Sequence, residues 1–152
     1  LVLATNTMHK LAPQIEACID LPFLHIADAT SRQINKRGYR TVGLLGTRAT
    51  MEEEFYTARL AAQGLTALTP ATKAERDEVH RIIFEELCLG IIKDRSRQTY
   101  KEIMSRLAER GAQAIILGCT EIASLVSNGP VPLIDTTAVH ARAAVAMALD
   151  RL

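Results

Sequence analysis

Cys119 ends an apolar run, Ala114-Ile115-Ile116-Leu117-Gly118, and is followed by Thr120 and Glu121. A thiol, a hydroxyl and a carboxylate in succession can move protons, the thiolate as a base or nucleophile and the thiol as an acid. If the run is a strand and the next segment a helix, the helix N-terminus and nearby N–H groups favour the thiolate. Its pKa would then fall from about 8.5 toward neutrality. The chain opens on an echo of the same pattern, Leu1-Val2-Leu3-Ala4-Thr5-Asn6-Thr7, with Ala4 where the repeat would put a thiol. Thr5, Asn6 and Thr7 offer hydroxyl, amide and backbone donors at a helix start, a suitable cradle for a carboxylate. Thr120 holds the matching place in the second copy. The echo continues downstream, Pro22-Phe23-Leu24-His25-Ile26 after the first copy and Pro132-Leu133-Ile134-Asp135 after the second. Taken singly, Cys119 is a small buried residue and the threonines are helix caps. Their pairing favours one site built from two related strand–turn–helix units.

Other residues could assist. Thr47 and Arg48 follow a strand, and Arg48 or Lys93 could neutralise an acidic ligand, although a surface role is the default for either. His9 and His140 sit one turn into the two echoed helices and read as satisfied, partly buried histidines. Glu52-Glu53-Glu54 and Glu85-Glu86 read as solvated helix faces, and Cys18 and Cys88 as core positions. The four histidines show no HxxxH or HExxH spacing, so the sequence gives little support to a metal site. The three widely spaced cysteines form no CxxC pair, which favours a reducing cytoplasm.

The elements that must carry these residues alternate between types. Residues 1–4 read as a buried strand, Thr5 to about Cys18 as a helix that Pro13, lying inside it, would end or kink unless it falls near the first turn, and Pro22 to Ile26 as a short strand. Asp28 or Thr30 is expected to cap a helix to about Lys36, closed by Gly38. Thr41–Gly46 is the next strand, and Thr50 with Glu53 forms a capping-box pattern opening a helix to about Gln63. A strand over Leu65–Thr69 precedes helices over about 74–89 and 94–110. Gln113–Leu117 is a strand, followed by a helix to about Ser127, a strand over Val131–Ile134 and a closing helix over Thr137–Leu152. Apolar strands alternating with helices predict a parallel sheet covered on both faces, with functional groups beyond the strands' carboxyl ends. The 152 residues carry a net charge of +1 and are 48% hydrophobic, which suggests neither a nucleic-acid nor a membrane partner. No apolar stretch approaches the roughly 20 residues of a membrane span. The chain lacks an initiator methionine and reads as a piece of a longer protein.

Together, Ala4-Thr5-Asn6-Thr7-Met8-His9, Leu44-Leu45-Gly46-Thr47 and Gly118-Cys119-Thr120-Glu121 resemble the aspartate/glutamate racemase family, closest to its bacterial branch of relaxed specificity. Pro22–Asp28 and Ile83–Gly90 support the likeness, which covers essentially the whole chain. The resemblance implies two pseudo-symmetric α/β lobes with the active site in the cleft between them. Residues 1–29 and 137–152 would belong to the first lobe, its N-terminal portion missing, and residues 30–136 to the second. It also implies racemisation of an acidic amino acid without pyridoxal or other cofactor, by two cysteines on opposite faces of the α-carbon. Cys119 would be one acid/base. Thr5, Asn6, Thr7, Thr120 and Glu121 would hold the substrate, with Thr47, Arg48 and Lys93 as further binding residues. A cytoplasmic homodimer is the state the family suggests. Ala4 departs from this pattern, because a methyl group cannot carry a proton. An impaired cysteine-to-alanine variant is the expected consequence, engineered rather than a natural divergence because the flanking motif is intact.

Two other readings compete. A single-cysteine arylmalonate-type decarboxylase fits the thiol count, and a non-catalytic amino-acid binding protein would need no second thiol. A nucleotide-binding domain is disfavoured because GxGxxG and P-loop motifs are absent.

Overall fold

In the computed structural model, which describes residues 1–149, the predicted α/β class is found, built around a four-stranded sheet. Strand β1 (Thr41–Gly46) pairs in parallel with β2 (Thr66–Leu68) on one side and β3 (Ile115–Gly118) on the other. Strand β4 (Leu133–Asp135) extends the sheet beyond β3, giving the order β2-β1-β3-β4 with every pairing parallel. Both faces are covered, which is why β1 and β3 are unbroken apolar runs. Alternate side chains divide between two cores. Leu45, Ile115 and Leu117 pack with α5 (Lys73–Glu85) and α6 (Asp94–Glu109) through Ile82, Ile83, Tyr100, Ile103, Met104 and Leu107. Val42, Leu44 and Ile116 pack on the other face with α2 (Ile26–Lys36), α4 (Glu54–Ala62) and α8 (Thr136–Ala148), through Ile34, Tyr56, Leu60 and Val139.

The N-terminal quarter departs most from the sequence expectation. Residues 1–4 do not form a buried strand. They make one parallel bridge, Val2 with Leu24, and Leu1 and Val2 are exposed. The strand expected over Pro22–Ile26 is reduced to the other half of that bridge. A strand needs a partner on its hydrogen-bonding edge, and only this one contact provides it. The helix expected from Thr5 is a 3-10 segment over Thr7–Leu11 followed by α1 (Ala12–Glu16), with Pro13 in the first turn, where its missing N–H is harmless.

Several helix boundaries also move. His25, rather than Asp28 or Thr30, caps α2, its Nδ1 accepting the Ala27 N–H. Thr47, rather than Thr50, caps α3 (Arg48–Glu52), and the capping box forms instead between Thr72 and Glu75 at the start of α5. The helix expected over 74–89 breaks at Glu86, and a 3-10 turn over Leu87–Leu89 follows. The helix after Cys119 shrinks to α7 (Ile122–Leu125). The closing helix runs through Ala148, and its expected end at 150–152 lies outside the described residues. No helix among the described residues is long and apolar enough to cross a membrane.

Candidate active site

The carboxyl ends of β1 and β3 lie side by side, with Gly46 in register with Gly118. The strands are close enough there that a Cβ on Gly46 would meet Gly118 O at 2.9 Å, and a Cβ on Gly118 would meet Leu45 O at 2.9 Å. Glycine is therefore required at both strand ends. The residues that follow, Thr47 and Cys119, are delivered to the mouth of one cleft of about 330 Å³.

Its walls bring together Ala4, Thr5, Asn6, Thr7, Thr47, Cys119, Thr120 and Glu121, eight of the ten residues expected at the site. Arg48 and Lys93 do not join them. Arg48 pairs with Asp77 at 2.6 Å, and its backbone N–H donates to His80 Nδ1. Lys93 turns to Glu86 at 3.4 Å. Glu86 is no solvated helix residue: it is 2% exposed and accepts from Ser96 and Arg81 as well. Burial alone would raise its pKa, but those donors outweigh burial and hold it below the usual value. The remaining wall, Ile83, Phe84 and Cys88 from the end of α5 and the turn beyond it, was not anticipated as lining. Cys18 and Cys88, expected in the core, are both exposed. The helical spacing that suggested a buried Cys88 ends with the break at Glu86.

Three hydroxyls tie the N-terminal turn to the sheet. Thr7 Oγ1 lies 2.8 Å from Thr47 Oγ1 and 3.4 Å from Thr50 Oγ1, and the latter two lie 3.1 Å apart. Asn6 is buried, and its Nδ2 donates to Thr136 Oγ1 at 3.0 Å, which in turn donates to Leu117 O. Asn6 Oδ1 has no donor among the described residues. An unpaired buried acceptor costs about 1–3 kcal/mol, and Asn6 is itself one of the residues lining the cleft.

Cys119 is in a different state from the one expected. Its thiol donates to Glu121 Oε2 at 2.9 Å. Burial, then the hydrogen bond to the carboxylate, push its pKa up to about 12. The anticipated help from a helix N-terminus fails because α7 begins only at Ile122 and spans four residues. For Glu121, burial would raise the pKa, but hydrogen bonds from Cys119 and Thr120 outweigh it and leave the carboxyl below its usual value. The resting pair is therefore a neutral thiol beside a carboxylate, arranged to deliver a proton rather than to take one.

The sequence profile of the family described as Asp/Glu/Hydantoin racemase matches residues 1–144. The crystal structure of a proposed Asp/Glu racemase from Yersinia pestis superposes with a TM-score of 0.92 at 52% identity, covering 97% of this chain and 65% of that one. An aspartate racemase homologue from Pyrococcus horikoshii OT3 superposes with a TM-score of 0.86 at 33% identity, covering 97% of this chain and 66% of that one. The broad specificity amino-acid racemase RacX of Bacillus subtilis (strain 168) is 24% identical over 150 residues, 95% of this chain and 63% of that enzyme. The chain thus spans less than two thirds of the length of each of these three proteins. With the family profile matched over nearly its whole length, the chain belongs to the Asp/Glu/Hydantoin racemase family.

Proposed function

We propose that this chain carries most of a cofactor-independent amino-acid racemase site for an acidic amino acid, with one of two thiol positions occupied by Ala4. The observation that carries the reading is that Ala4 and Cys119 line the same cleft as the Thr5–Thr7 turn. In this scheme the turn and Thr120 receive the α-carboxylate, and the orphaned Asn6 Oδ1 accepts from the α-ammonium. Racemisation between enantiomers of equal free energy needs no energy source, so the barrier is α-proton removal. Donors held on the carboxylate lower that barrier by stabilising the carbanion-like transition state. Cys119, resting as the thiol, protonates that carbanion on one face. A thiol at position 4 would serve the other face, and Ala4 leaves that face without a proton carrier. The complete protein, supplying the rest of the first lobe, would then be a cytoplasmic enzyme, in the homodimeric state its family suggests. Ala4 is read as a disabling substitution of the native cysteine.

The test is polarimetry of L-aspartate and L-glutamate with the complete Ala4→Cys protein, without pyridoxal phosphate. Rotation should decay with Ala4→Cys and stay constant when Cys119→Ala is added. A folded Ala4→Cys protein that leaves both rotations unchanged refutes the two-thiol reading for these substrates. Cys119, the one thiol in the two echoed motifs, also favours a second reading, decarboxylation of a disubstituted malonate, in which one acid suffices to protonate the enolate. Carbon dioxide release from such a malonate by the protein with Ala4 in place separates the two.

A further inference from the structure

Beneath the N-terminal turn lies a set of buried imidazoles that the reaction scheme leaves unused. His9, His25 and His140 are 1%, 2% and 3% exposed. The His9 ring lies 4.4 Å from His25, 5.7 Å from His140 and 5.6 Å from Phe23, centre to centre. Each imidazole makes a hydrogen bond that joins separate parts of the chain or caps a helix. His140 Nε2 donates to Leu24 O at 2.8 Å, and His25 Nδ1 caps α2. His9 is set apart because it touches the cradle itself.

The tautomer of His9 follows from its partners. The Ile26 N–H donates to Nε2 at 3.2 Å, so that nitrogen carries no hydrogen. The hydrogen is then on Nδ1, which donates to Thr5 O at 2.6 Å. The peptide joining Thr5 to Asn6 is planar, so fixing the Thr5 carbonyl also fixes the direction of the Asn6 N–H on its opposite side. One buried ring thus spans from the first residue of α2 to the middle of the cradle. Only the neutral ring can make both contacts, since a protonated Nε2 could not accept from Ile26. Burial, with the nearby Arg59 charge, lowers the His9 pKa and favours that neutral form, against the opposing hydrogen bond to Thr5.

We propose that His9 is a positioning residue, which sets the Thr5–Thr7 cradle relative to Cys119 by holding the Thr5 carbonyl from below. The kinetic consequence rests on the racemase reading, whereas the structural one does not. Two substitutions separate its two hydrogen bonds. Asparagine places an amide donor near the position of Nδ1 and keeps the contact to Thr5. Glutamine places its amide oxygen near Nε2, keeps the contact to Ile26 and loses Thr5.

In the complete Ala4→Cys protein, His9→Gln should lower kcat/KM for the racemised amino acid about tenfold, the scale of one lost hydrogen bond. His9→Asn should stay within about threefold, with both variants melting cooperatively. Equal losses in both folded variants would mean that the ring merely fills space, and would overturn the proposal. Backbone amide NMR of the same variants gives a readout free of activity. The Asn6 and Thr7 amides should move in His9→Gln and hold in His9→Asn, and no movement, or equal movement, overturns the proposal. If Ala4→Cys fails to racemise while these shifts behave as expected, the racemase reading fails and the positioning role stands. Should His9→Gln not fold, 15N NMR of the unsubstituted protein at pH 7 decides. A neutral Nδ1–H ring on His9 supports the proposal, and the other tautomer or a charged ring overturns it.

Discussion

Cys119 rests as a neutral thiol whose Sγ donates to a carboxylate 2.9 Å away, with burial pushing its pKa up to about 12. A thiol following a strand and preceding a helix reads as an activated thiolate, but the helix starts three residues too late and is too short to help. What decides the state is Glu121, two residues on, which accepts the thiol hydrogen and holds it. The pairing has a reactivity signature. With Cys18→Ser and Cys88→Ser removing the exposed thiols, alkylation of Cys119 by iodoacetamide at pH 8 should be slow, since little thiolate exists when the pKa is about 12. Glu121→Gln removes the carboxylate that stabilises the protonated form and should speed alkylation about threefold for each pKa unit recovered, the tenfold gain in thiolate being partly offset by its lower nucleophilicity. An unchanged or slower rate in Glu121→Gln would show that burial alone sets the thiol.

The elements position the site through close backbone approach more than through specific side-chain contacts. Because Gly46 and Gly118 sit in register, any side chain on Gly118 meets the Leu45 carbonyl and Thr50. Gly118→Ala should therefore destabilise by about 1–3 kcal/mol in urea unfolding, the usual scale for overpacking, and shift Thr47 and Cys119 apart. Unfolding midpoints equal within error would show that the strands can separate at no cost. This part of the fold was legible: β1 and β3 are long, uninterrupted apolar runs ending in glycine, and each leads straight to a polar residue. Eight of the expected residues share one cleft for the same reason, since they follow strand ends or belong to the echoed turn. Arg48 was misplaced because its charge is taken by Asp77, a residue 29 positions away that no local pattern links to it. Residues 1–4 were misread because apolarity signals a strand while pairing is non-local, and their one bridge is to Leu24. The His25 cap was missed because imidazole is not among the usual capping side chains. The Thr-x-x-Glu spacing points to Thr50 as a cap, whereas the end of β1 at Gly46 sets the helix start at Arg48 and makes Thr47 the cap.

Across the molecule, the N-terminal quarter is fastened to α2 through the neutral His9 ring, and the neighbouring His25 caps that helix, which makes stability depend on pH. Burial, then the nearby Arg59 charge, lower the His25 pKa to about 3, and His9 shifts in the same direction. In the unfolded chain these rings take protons near pH 6.5, whereas in the folded chain they do not. The unfolded state therefore binds more protons as pH falls below about 7, and stability drops through this window until His25 itself titrates near pH 3. Glu86 and Glu121, whose pKa values lie below the usual carboxylate value of 4.5, add their own loss only in more acid solution. A decline between pH 7.5 and 5.5 is thus attributable to the histidines. At about 1.4 kcal/mol per pH unit for one fully differential group, it should be on the order of 1–2 kcal/mol by urea unfolding. His25→Asn separates the cap from the titration, because asparagine is among the preferred N-caps and carries no proton equilibrium here. That variant should match the parent near pH 7.5 and lose part of the decline. If the parent unfolds at the same urea concentration at both pH values, the rings are not neutral anchors, and the junction must be held by the Val2–Leu24 bridge and the threonine hydroxyls instead.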